Sequence, residues 1–254
     1  MRLTVVGCSG SIPGPDSAAS CYLLEAEGFR LVVDFGNGSL GPLQKYLPLL
    51  GVDAVCLSHL HTDHCVDLYS YGIARSYSPA GPQPRIPVYG PAGTAERIAG
   101  VHGPGTGDGD VSWLSERFTF RTLEPGPLAI GPFDLQLAHM NHPVETFAFR
   151  FRQAGRTLVY TGDTGATKAL PALAAGADVL LSEAAFLDRP DVPPDMHLTA
   201  RQAAGYARQA GVGRLVLTHI QPWYSADDSL TEAAAAFSGD IEVARAGQVI
   251  DLAG

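Results

Sequence analysis

The sequence has no long apolar run and little cysteine. No segment reaches the roughly 18 apolar residues that a membrane-spanning helix needs, so we expect no membrane partner. Met1 is followed directly by the strand-like run RLTVVG. No basic stretch precedes an apolar one there, so we expect no secretory signal. The four cysteines form no C-x-x-C pair and are interpreted as reduced thiols of a cytoplasmic protein.

Positive charge is also scarce. Lysine and arginine number 17 against 26 aspartates and glutamates, which gives a formal net charge of -9. An acidic chain repels polyanions at long range, so this charge disfavours a long nucleic acid as the main partner. With 254 residues, 46% of them hydrophobic, the chain can bury a substantial core.

The pattern of apolar residues predicts a layered α/β fold. Strand-like runs come first, and helix-like and strand-like runs alternate after about residue 165. Residues 78–112 are rich in glycine and proline and are predicted to be a loop, whereas 241–251 is predicted to be a closing hairpin. No linker divides the sequence, so we expect a single domain over residues 1–254.

One segment recurs along the chain. GVDAVCLSH at 51–59 aligns with GVGRLVLTH at 211–219 and more loosely with GADVLLSE at 176–183. Each copy is a glycine and a buried strand, followed by serine or threonine and then histidine or glutamate. The recurrence indicates two pseudo-symmetric halves that each deliver a ligand at a strand end, although buried strands also resemble one another by composition.

Three of the eight histidines are crowded into six positions after a predicted strand. Residues i and i+2 of an extended segment point the same way, so His59 and His61 can bind one ion. Asp63 and His64 point to a second position if the chain turns into a helix there. The spacing H-x-H-x-D-H therefore predicts the start of a two-metal site.

Further candidate ligands follow other predicted strands. His139 and His142 end one such segment, and Asp163 and His219 end two others. Singly, each of them could be a surface loop residue. Because the carboxyl ends of strands open into one crevice, we expect them together to complete the coordination of two ions.

These motifs resemble those of the metallo-β-lactamase superfamily, and the flanking sequence is similar to its ribonuclease Z-like branch. The matching segments span nearly the whole chain in the family's order: VVGCSGSIPG, LVVDFGNG, HLHTDH, NHPVETFAFR, YTGDTG, LSEAAF, HLTARQAAGYARQAGV and LTHI. Within that branch the chain most resembles bacterial cyclic-nucleotide phosphodiesterases of the atypical class II. The resemblance implies an α/β fold, a four-layer αββα sandwich with pseudo-two-fold halves.

The resemblance also implies a ligand set and its cofactors. One ion would be held by His59, His61 and His142, and the other by Asp63, His64 and His219, with Asp163 bridging them. His142 is preferred to His139 because HP-x-E-[ST]-F follows it, as in the family, which leaves His139 behind the ligands or on the surface. The implied cofactors are two divalent metal ions, zinc or alternatively manganese.

Three further residues receive roles from the resemblance. Asp34 resembles the buried carboxylate that orients the histidine loop, with a turn-capping aspartate as the alternative. Glu183 and His197 resemble the pair beside the metals in ribonuclease Z, where the histidine contacts phosphate or protonates the leaving group. His197 could otherwise simply precede a helix that Thr199 caps.

The implied activity is hydrolysis of a small phosphodiester, with a cyclic nucleotide such as cyclic AMP as the leading substrate. Asp63 would orient or deprotonate the attacking water, and His197, held by Glu183, would protonate the leaving alkoxide. The alternatives are ribonuclease Z-like RNA processing, hydrolysis of another ester such as a lactone, and a metal-binding module without turnover. Against tRNA processing, ordinary strands and helices fill the segment between Asp163 and His219, where we find no room for a tRNA-binding arm.

Two loops and two aromatic residues complete these expectations. Loops 102–112 and 188–196 are expected to close over a small ligand. Trp223 and Tyr224 are either base-stacking walls of the pocket or core residues. A homodimer is also expected.

Overall fold

A computed structural model describes residues 1–103 and 110–252. Two β-sheets form its centre. The strands are β1 Arg2–Ser9, β2 Ala18–Ala19, β3 Cys21–Ala26, β4 Phe29–Val33, β5 Ala54–Cys56, β6 Ile86–Gly90, β7 Phe118–Thr122, β8 Gly126–Ile130, β9 Phe133–His139, β10 Phe147–Gln153, β11 Arg156–Tyr160, β12 Val179–Glu183, β13 Arg214–Thr218, β14 Asp240–Val243 and β15 Val249–Asp251. The helices are α1 Leu40–Leu43, α2 Thr62–Cys65, α3 Asp67–Ser76, α4 Thr94–Ala99, α5 Val111–Ser115, α6 Ala169–Ala174, α7 Ala200–Ala210 and α8 Ala226–Ala234.

The two sheets share one pairing pattern. The first has the order β15-β1-β3-β4-β5-β6-β7, with β2 beside β1, and the second has the order β8-β9-β10-β11-β12-β13-β14. Read in these orders, the first three pairings of each sheet are antiparallel and the last three are parallel. The sheets are therefore pseudo-symmetric halves, as the recurring segment indicates.

The strands that occupy equivalent places in the two sheets are not those that the closer sequence match suggests. In the shared pattern β5 corresponds to β12 and β6 corresponds to β13. The segment 51–59 is thus equivalent to 176–183, the looser match, and 211–219 lies one strand further along. The stronger match arises because a buried strand selects the same few apolar residues wherever it lies.

Three separate hydrophobic cores show that the fold has four layers. In β4, Leu31 and Val33 point into the core between the sheets, while Val32 points into the core under α3. In β12, Leu181 points between the sheets and Leu180 packs against the helices of the other half. This alternation is the two-residue period of a strand that is buried on both faces. The layers run helices, sheet, sheet, helices, and the predicted αββα sandwich is confirmed.

Two local predictions were wrong. The predicted loop 78–112 contains β6, α4 and the start of α5, because Pro87 and the glycines that suggested a loop lie within or between short elements. The predicted hairpin at 241–251 is absent, since β14 pairs with β13 in one sheet and β15 pairs with β1 in the other. Residues 104–109 of the predicted closing loop lie outside the described residues.

Within residues 1–103 and 110–252, no helix combines the length and the apolar character needed to cross a bilayer. That residues 1–254 form a single domain stays a prediction.

Candidate metal centre

The histidine loop lies between β5 and α2. The chain is still extended at His61, with φ −68° and ψ 151°, and α2 begins at the next residue. This change of direction separates two pairs of side chains, as the spacing predicts. His59 and His61 approach one another on the first side of the turn, and Asp63 and His64 lie on the second.

Seven side chains converge there in two overlapping donor sets. The first set is His59, His61, His142 and Asp163, and the second is Asp63, His64, Asp163 and His219. Within each set, one ligand atom of every residue lies within 4.8 Å of the others. Asp163 belongs to both sets. The structure thus brings together all seven residues predicted as ligands.

In the first set, three ring nitrogens lie close together. His61 Nδ1 lies 3.1 Å from His59 Nε2 and 3.2 Å from His142 Nε2. The other nitrogen of His142, Nδ1, lies 2.9 Å from the Met196 carbonyl and must carry the proton. His59 Nδ1 likewise donates to Ser58 Oγ at 3.0 Å, because that hydroxyl donates its own hydrogen to a carboxylate. His59 Nε2 and His142 Nε2 therefore each direct a lone pair toward His61 Nδ1, and this arrangement fits a cation between the three rings.

In the second set, the outer nitrogens are also engaged. His64 Nδ1 lies 2.7 Å from Asp34 Oδ2, and His219 Nδ1 lies 3.0 Å from Ser20 Oγ. The inner Nε2 atoms of both rings, and Asp163 Oδ1, are buried without a hydrogen-bond partner in the described part of the chain. Unsatisfied buried polar atoms are costly and rare. Imidazole nitrogens and carboxylate oxygens in this arrangement fit a divalent metal site.

Burial and neighbouring charges shift the pKa values of the buried groups in different directions. Burial chiefly lowers the pKa of His59 well below its ordinary value. Burial also disfavours a charged His64, but the carboxylates of Asp163 and Asp34 outweigh it and raise the pKa of His64 well above the usual range. Burial would raise the pKa of Asp163, yet the surrounding histidines hold it well below its usual value. The centre therefore keeps carboxylate charge available for a cation.

Asp34 orients the histidine loop and is not merely a turn cap. It follows β4, is fully buried and has a left-handed backbone with φ 57°. Its Oδ1 accepts from the Ser58 amide at 2.6 Å. Its Oδ2 accepts from Ser58 Oγ at 2.8 Å, His64 Nδ1 at 2.7 Å and Tyr160 Oη at 2.6 Å. One carboxylate therefore holds His64 directly and His59 through Ser58, which is how outer groups fix the orientation of ligands.

Glycine allows two backbone segments to approach the centre closely. A Cβ on Gly36 would lie 2.0 Å from the Asp63 carbonyl oxygen, and one on Gly10 would lie 2.2 Å from that of His219. His219 itself has a left-handed backbone with φ 56°. Strained non-glycine residues of this kind collect at functional sites.

Glu183 positions His197 beside the donor sets. Glu183 is fully buried at the end of β12, and its Oε1 accepts from His197 Nδ1 at 3.0 Å. Its Oε1 also accepts from the Thr164 amide, and its Oε2 accepts from the amides of Ala185 and Leu198. With both oxygens engaged, Glu183 holds His197, and the two residues form a third group of potential ligands with Asp163.

His197 lies against the second donor set. Its ring stacks on that of His219, with centroids 5.5 Å apart, and its Nδ1 is 3.9 Å from Asp163 Oδ2. Burial lowers its pKa, but the Glu183 carboxylate outweighs burial and raises the pKa to about 9. Thr199 does cap α7, so His197 both precedes the capped helix and lies against the centre.

Other candidates lie outside the donor sets. His139 is exposed with its ring against Phe147, and it joins neither set in the described ranges. Trp223 is 60% exposed, so it is not a core residue, whereas Tyr224 is half-buried beneath Arg189. The orienting groups Ser20, Tyr160 and Met196 were missed by sequence reasoning, since they act through contacts distant in sequence.

Comparison with known proteins places this site in a family. The model of the beta-lactamase superfamily domain matches residues 30–220. The chain belongs to the metallo-β-lactamase superfamily, in its ribonuclease Z-like branch, and is a hydrolase of the metal-dependent type. The predicted resemblance is therefore confirmed at the level of the branch.

Three relatives illustrate the similarity. An uncharacterized protein of Mycobacterium leprae is 41% identical over 255 residues, which cover 99% of this chain and 89% of the relative. The "probable metallo-hydrolase" YhfI of Bacillus subtilis is 32% identical over 260 residues, covering 98% and 99%. Its crystal structure has a TM-score of 0.86 at 30% identity, covering 98% of both chains. A ribonuclease Z of Mycobacterium bovis is 33% identical over 267 residues, covering 96% and 95%.

Proposed function

We propose that this protein is a dinuclear metal-dependent phosphodiesterase whose substrate is a small cyclic nucleotide such as cyclic AMP. The observation that carries the proposal is the pair of donor sets that share Asp163, next to a separate His197–Glu183 pair. A structural zinc site needs four ligands only, and seven exceed that need. A hydrolytic site uses two ion positions and a proton donor in this arrangement.

Five histidines and two carboxylates suit zinc, with manganese as the alternative. When bound, two such ions lower the pKa of a water and neutralise charge on the attacking and leaving oxygens of a phosphodiester.

The protein's own groups move the protons. Asp63 Oδ2 faces Nε2 of His64 at 3.4 Å, so its carboxylate lies inside the centre, where it accepts the proton of the attacking water. The water oxygen bonds to phosphorus as one P–O ester bond breaks. His197, held through Nδ1 by Glu183, gives a proton from its other nitrogen to the leaving alkoxide. The product is a phosphate monoester.

A small substrate is supported by the surroundings of the site. The net charge of -9 gives no long-range attraction for a polyanion. The described segment 164–218 holds α6, β12, α7 and β13 with the connections between them, and no arm extends from it. Loop 188–196 lies against the centre, since the Met196 carbonyl accepts from His142 and Asp195 accepts from Asn141 at 3.4 Å. This loop limits the space beside the first donor set.

Trp223 supports a nucleoside substrate. It lies four residues after His219, on a loop that Gln221 fastens to Ser11 by a hydrogen bond of 3.1 Å. Its indole is largely exposed on the loop that follows His219, and an exposed aromatic ring can stack a base of any identity. We propose Trp223, rather than Tyr224, as the stacking wall.

Ribonuclease Z-like RNA processing is the second candidate. Its support is the 33% identity to a protein named ribonuclease Z across nearly the whole chain. Hydrolysis of another ester, such as a lactone, uses the same centre. A metal-binding module without turnover ranks last, because it leaves the His197–Glu183 pair without a role.

We propose the cytoplasm as the location, supported by four cysteines that are all free and buried. A homodimer stays a prediction.

The test is a comparison of kcat/KM for 3′,5′-cyclic AMP, 2′,3′-cyclic AMP, a precursor tRNA and a lactone, with zinc- and manganese-loaded protein. We expect a cyclic nucleotide to be the best substrate. Efficient tRNA cleavage with inert cyclic nucleotides would replace the proposal by the second candidate, and a lactone or another ester hydrolysed in their place would replace it by the third.

A further inference from the structure

The seven donor residues come from both sheets. The first-sheet ligands are His59, His61, Asp63 and His64, and the second-sheet ligands are His142, Asp163 and His219. Each donor set contains members of both groups. The two sets therefore keep their geometry only if the edges of the two sheets stay at a fixed spacing.

Two buried tyrosines cross between the sheets at this point. Tyr160 of β11, in the second sheet, donates its hydroxyl to Asp34 Oδ2 beyond the end of β4, in the first sheet, at 2.6 Å. Tyr22 of β3, in the first sheet, is hydrogen-bonded through its hydroxyl to Thr218 Oγ1 of β13, in the second sheet, at 2.7 Å. The rings lie 5.0 Å apart and are only 1% and 2% exposed.

Each tyrosine hydroxyl bonds to a residue of the opposite sheet, and that residue supports a ligand of its own sheet. Asp34, which Tyr160 reaches, accepts the hydrogen of His64 Nδ1 and, through Ser58, orients His59. Thr218, which Tyr22 reaches, directly precedes His219. A hydroxyl from each sheet thus holds the ligand support of the other.

We propose that Tyr160 and Tyr22 form a clasp between the sheets, and that their hydroxyls set the spacing of the first-sheet and second-sheet ligands. Both are positioning residues for metal binding. Tyr160 has the larger effect, because it bonds directly to the carboxylate that orients two ligands, whereas Tyr22 acts through the backbone next to one. The inference rests on the metal centre of the proposed function and is independent of its substrate.

The hydroxyls, and not the rings, carry the effect. Phenylalanine in either position keeps the aromatic packing between the sheets. In Tyr160→Phe, Asp34 still accepts from Ser58 and His64, but it loses its only hydrogen bond to the second sheet among those that the structure describes. Loss of a partner that bonds directly to a ligand typically weakens metal affinity by about 10–100-fold, and Tyr160 acts one hydrogen bond further out, so we expect the lower end of this range.

The experiment measures zinc affinity of metal-stripped protein by competition with a chromophoric chelator. We expect about a 10-fold weaker affinity for Tyr160→Phe and a smaller loss for Tyr22→Phe. The matched control is Tyr71→Phe, which removes an equally buried hydroxyl from α3 in another core, where its partner is Arg75. We expect wild-type zinc affinity for this control.

A second measurement separates an effect on the position of the metal ligands from an effect on the stability of the fold. The unfolding midpoint is measured with and without zinc, and the rise that zinc causes should be smaller in Tyr160→Phe than in Tyr71→Phe. If Tyr160→Phe lowers the metal-free midpoint but binds zinc as tightly as wild type, the clasp is overturned. If Tyr160→Phe does not fold, Thr218→Val removes the partner of Tyr22 with little change of shape, and unchanged zinc affinity there overturns the clasp as well.

The two proposals fail separately. A wild-type protein that binds zinc but hydrolyses no phosphodiester sinks the proposed function, while the zinc affinities of the variants still decide the clasp. If the protein is an active phosphodiesterase and its zinc affinity is unchanged in Tyr160→Phe and Tyr22→Phe, only the clasp is overturned.

Discussion

The first-sheet and second-sheet ligands are built in different ways. The first-sheet ligands lie within six residues on one turn, from His59 to His64, and a single carboxylate, Asp34, orients two of them. The second-sheet ligands come from three loops, and the two histidines among them have separate supports. His142 is held by the Met196 carbonyl, and His219 by Ser20 Oγ.

The difference shows which part of the centre is local and which is assembled by the fold. The turn into α2 points the first-sheet ligands to two positions by chain geometry alone. The second-sheet ligands reach those positions only when the sheets have packed. Substitution of the fully buried histidines of the first group should therefore damage chemistry and the core together, whereas some substitutions in the second group should affect metal binding alone.

The largest effect is expected for Asp63→Ala. Loss of this carboxylate removes the acceptor for the proton of the attacking water, so we expect kcat to fall by about 10²–10⁴-fold with the fold retained. The measurement is kcat with a cyclic nucleotide, with circular dichroism as the check on folding. Asp67→Asn is the matched control, because Asp67 lies on the same stretch but bonds to the Leu40 amide outside the centre. Near-native kcat in Asp63→Ala with metal bound would show that its role is misassigned.

The comparison is tested most sharply by His59→Ala and His142→Ala, which remove ligands from the same donor set. We expect both to reduce bound metal to about one ion per chain from about two. Because His59 is fully buried and His142 is half-buried on a loop, only His59→Ala should also lower the unfolding midpoint of metal-free protein.

The control for this pair is His139→Ala, which should keep the full metal content. Elemental analysis of each purified variant measures the ions. Equal destabilisation of metal-free protein by His59→Ala and His142→Ala would remove the distinction between the two groups of ligands.

A smaller loss is expected for His197→Ala. This change removes the proton donor to the leaving group, so kcat should fall by about 10²-fold while metal content stays unchanged. The effect should shrink for a substrate with a good leaving group, such as a nitrophenyl phosphodiester, which needs no protonation. A fall in metal content would show instead that His197 is a ligand.

The smallest effect is expected for Trp223→Ala. Loss of base stacking is worth about 1–3 kcal/mol, so KM for a cyclic nucleotide should rise by about 5- to 140-fold with little change of kcat. Tyr77→Ala, at the end of α3, is the control for loss of an exposed aromatic ring. An unchanged KM would remove Trp223 from the binding site.

The sequence predicted the local half of the centre from residue spacing, since the turn at His61 follows from a strand that runs into a helix. Choosing His142 over His139 required the family motif, because both follow the same strand. The αββα layers were predicted by the resemblance, and the two-residue alternation in β4 and β12 agrees with them.

The supports of the ligands could not be predicted in this way. Ser20 and His219 are 199 residues apart, and Tyr160 and Asp34 are 126 apart, so no local pattern joins them. The strand β6 was missed for a different reason. Proline and glycine are ordinary signals of a loop, but Pro87 and Gly90 lie in the second and last positions of this five-residue strand.

Metal stoichiometry, titrated against activity, tests the two-metal centre most directly. Metal-stripped protein is reloaded with zinc in steps, and bound zinc and the rate of phosphodiester hydrolysis are measured on the same samples. We predict that activity rises until about two ions are bound per chain and then stops rising. Full activity at one bound ion, or activity that persists without metal, would contradict the account.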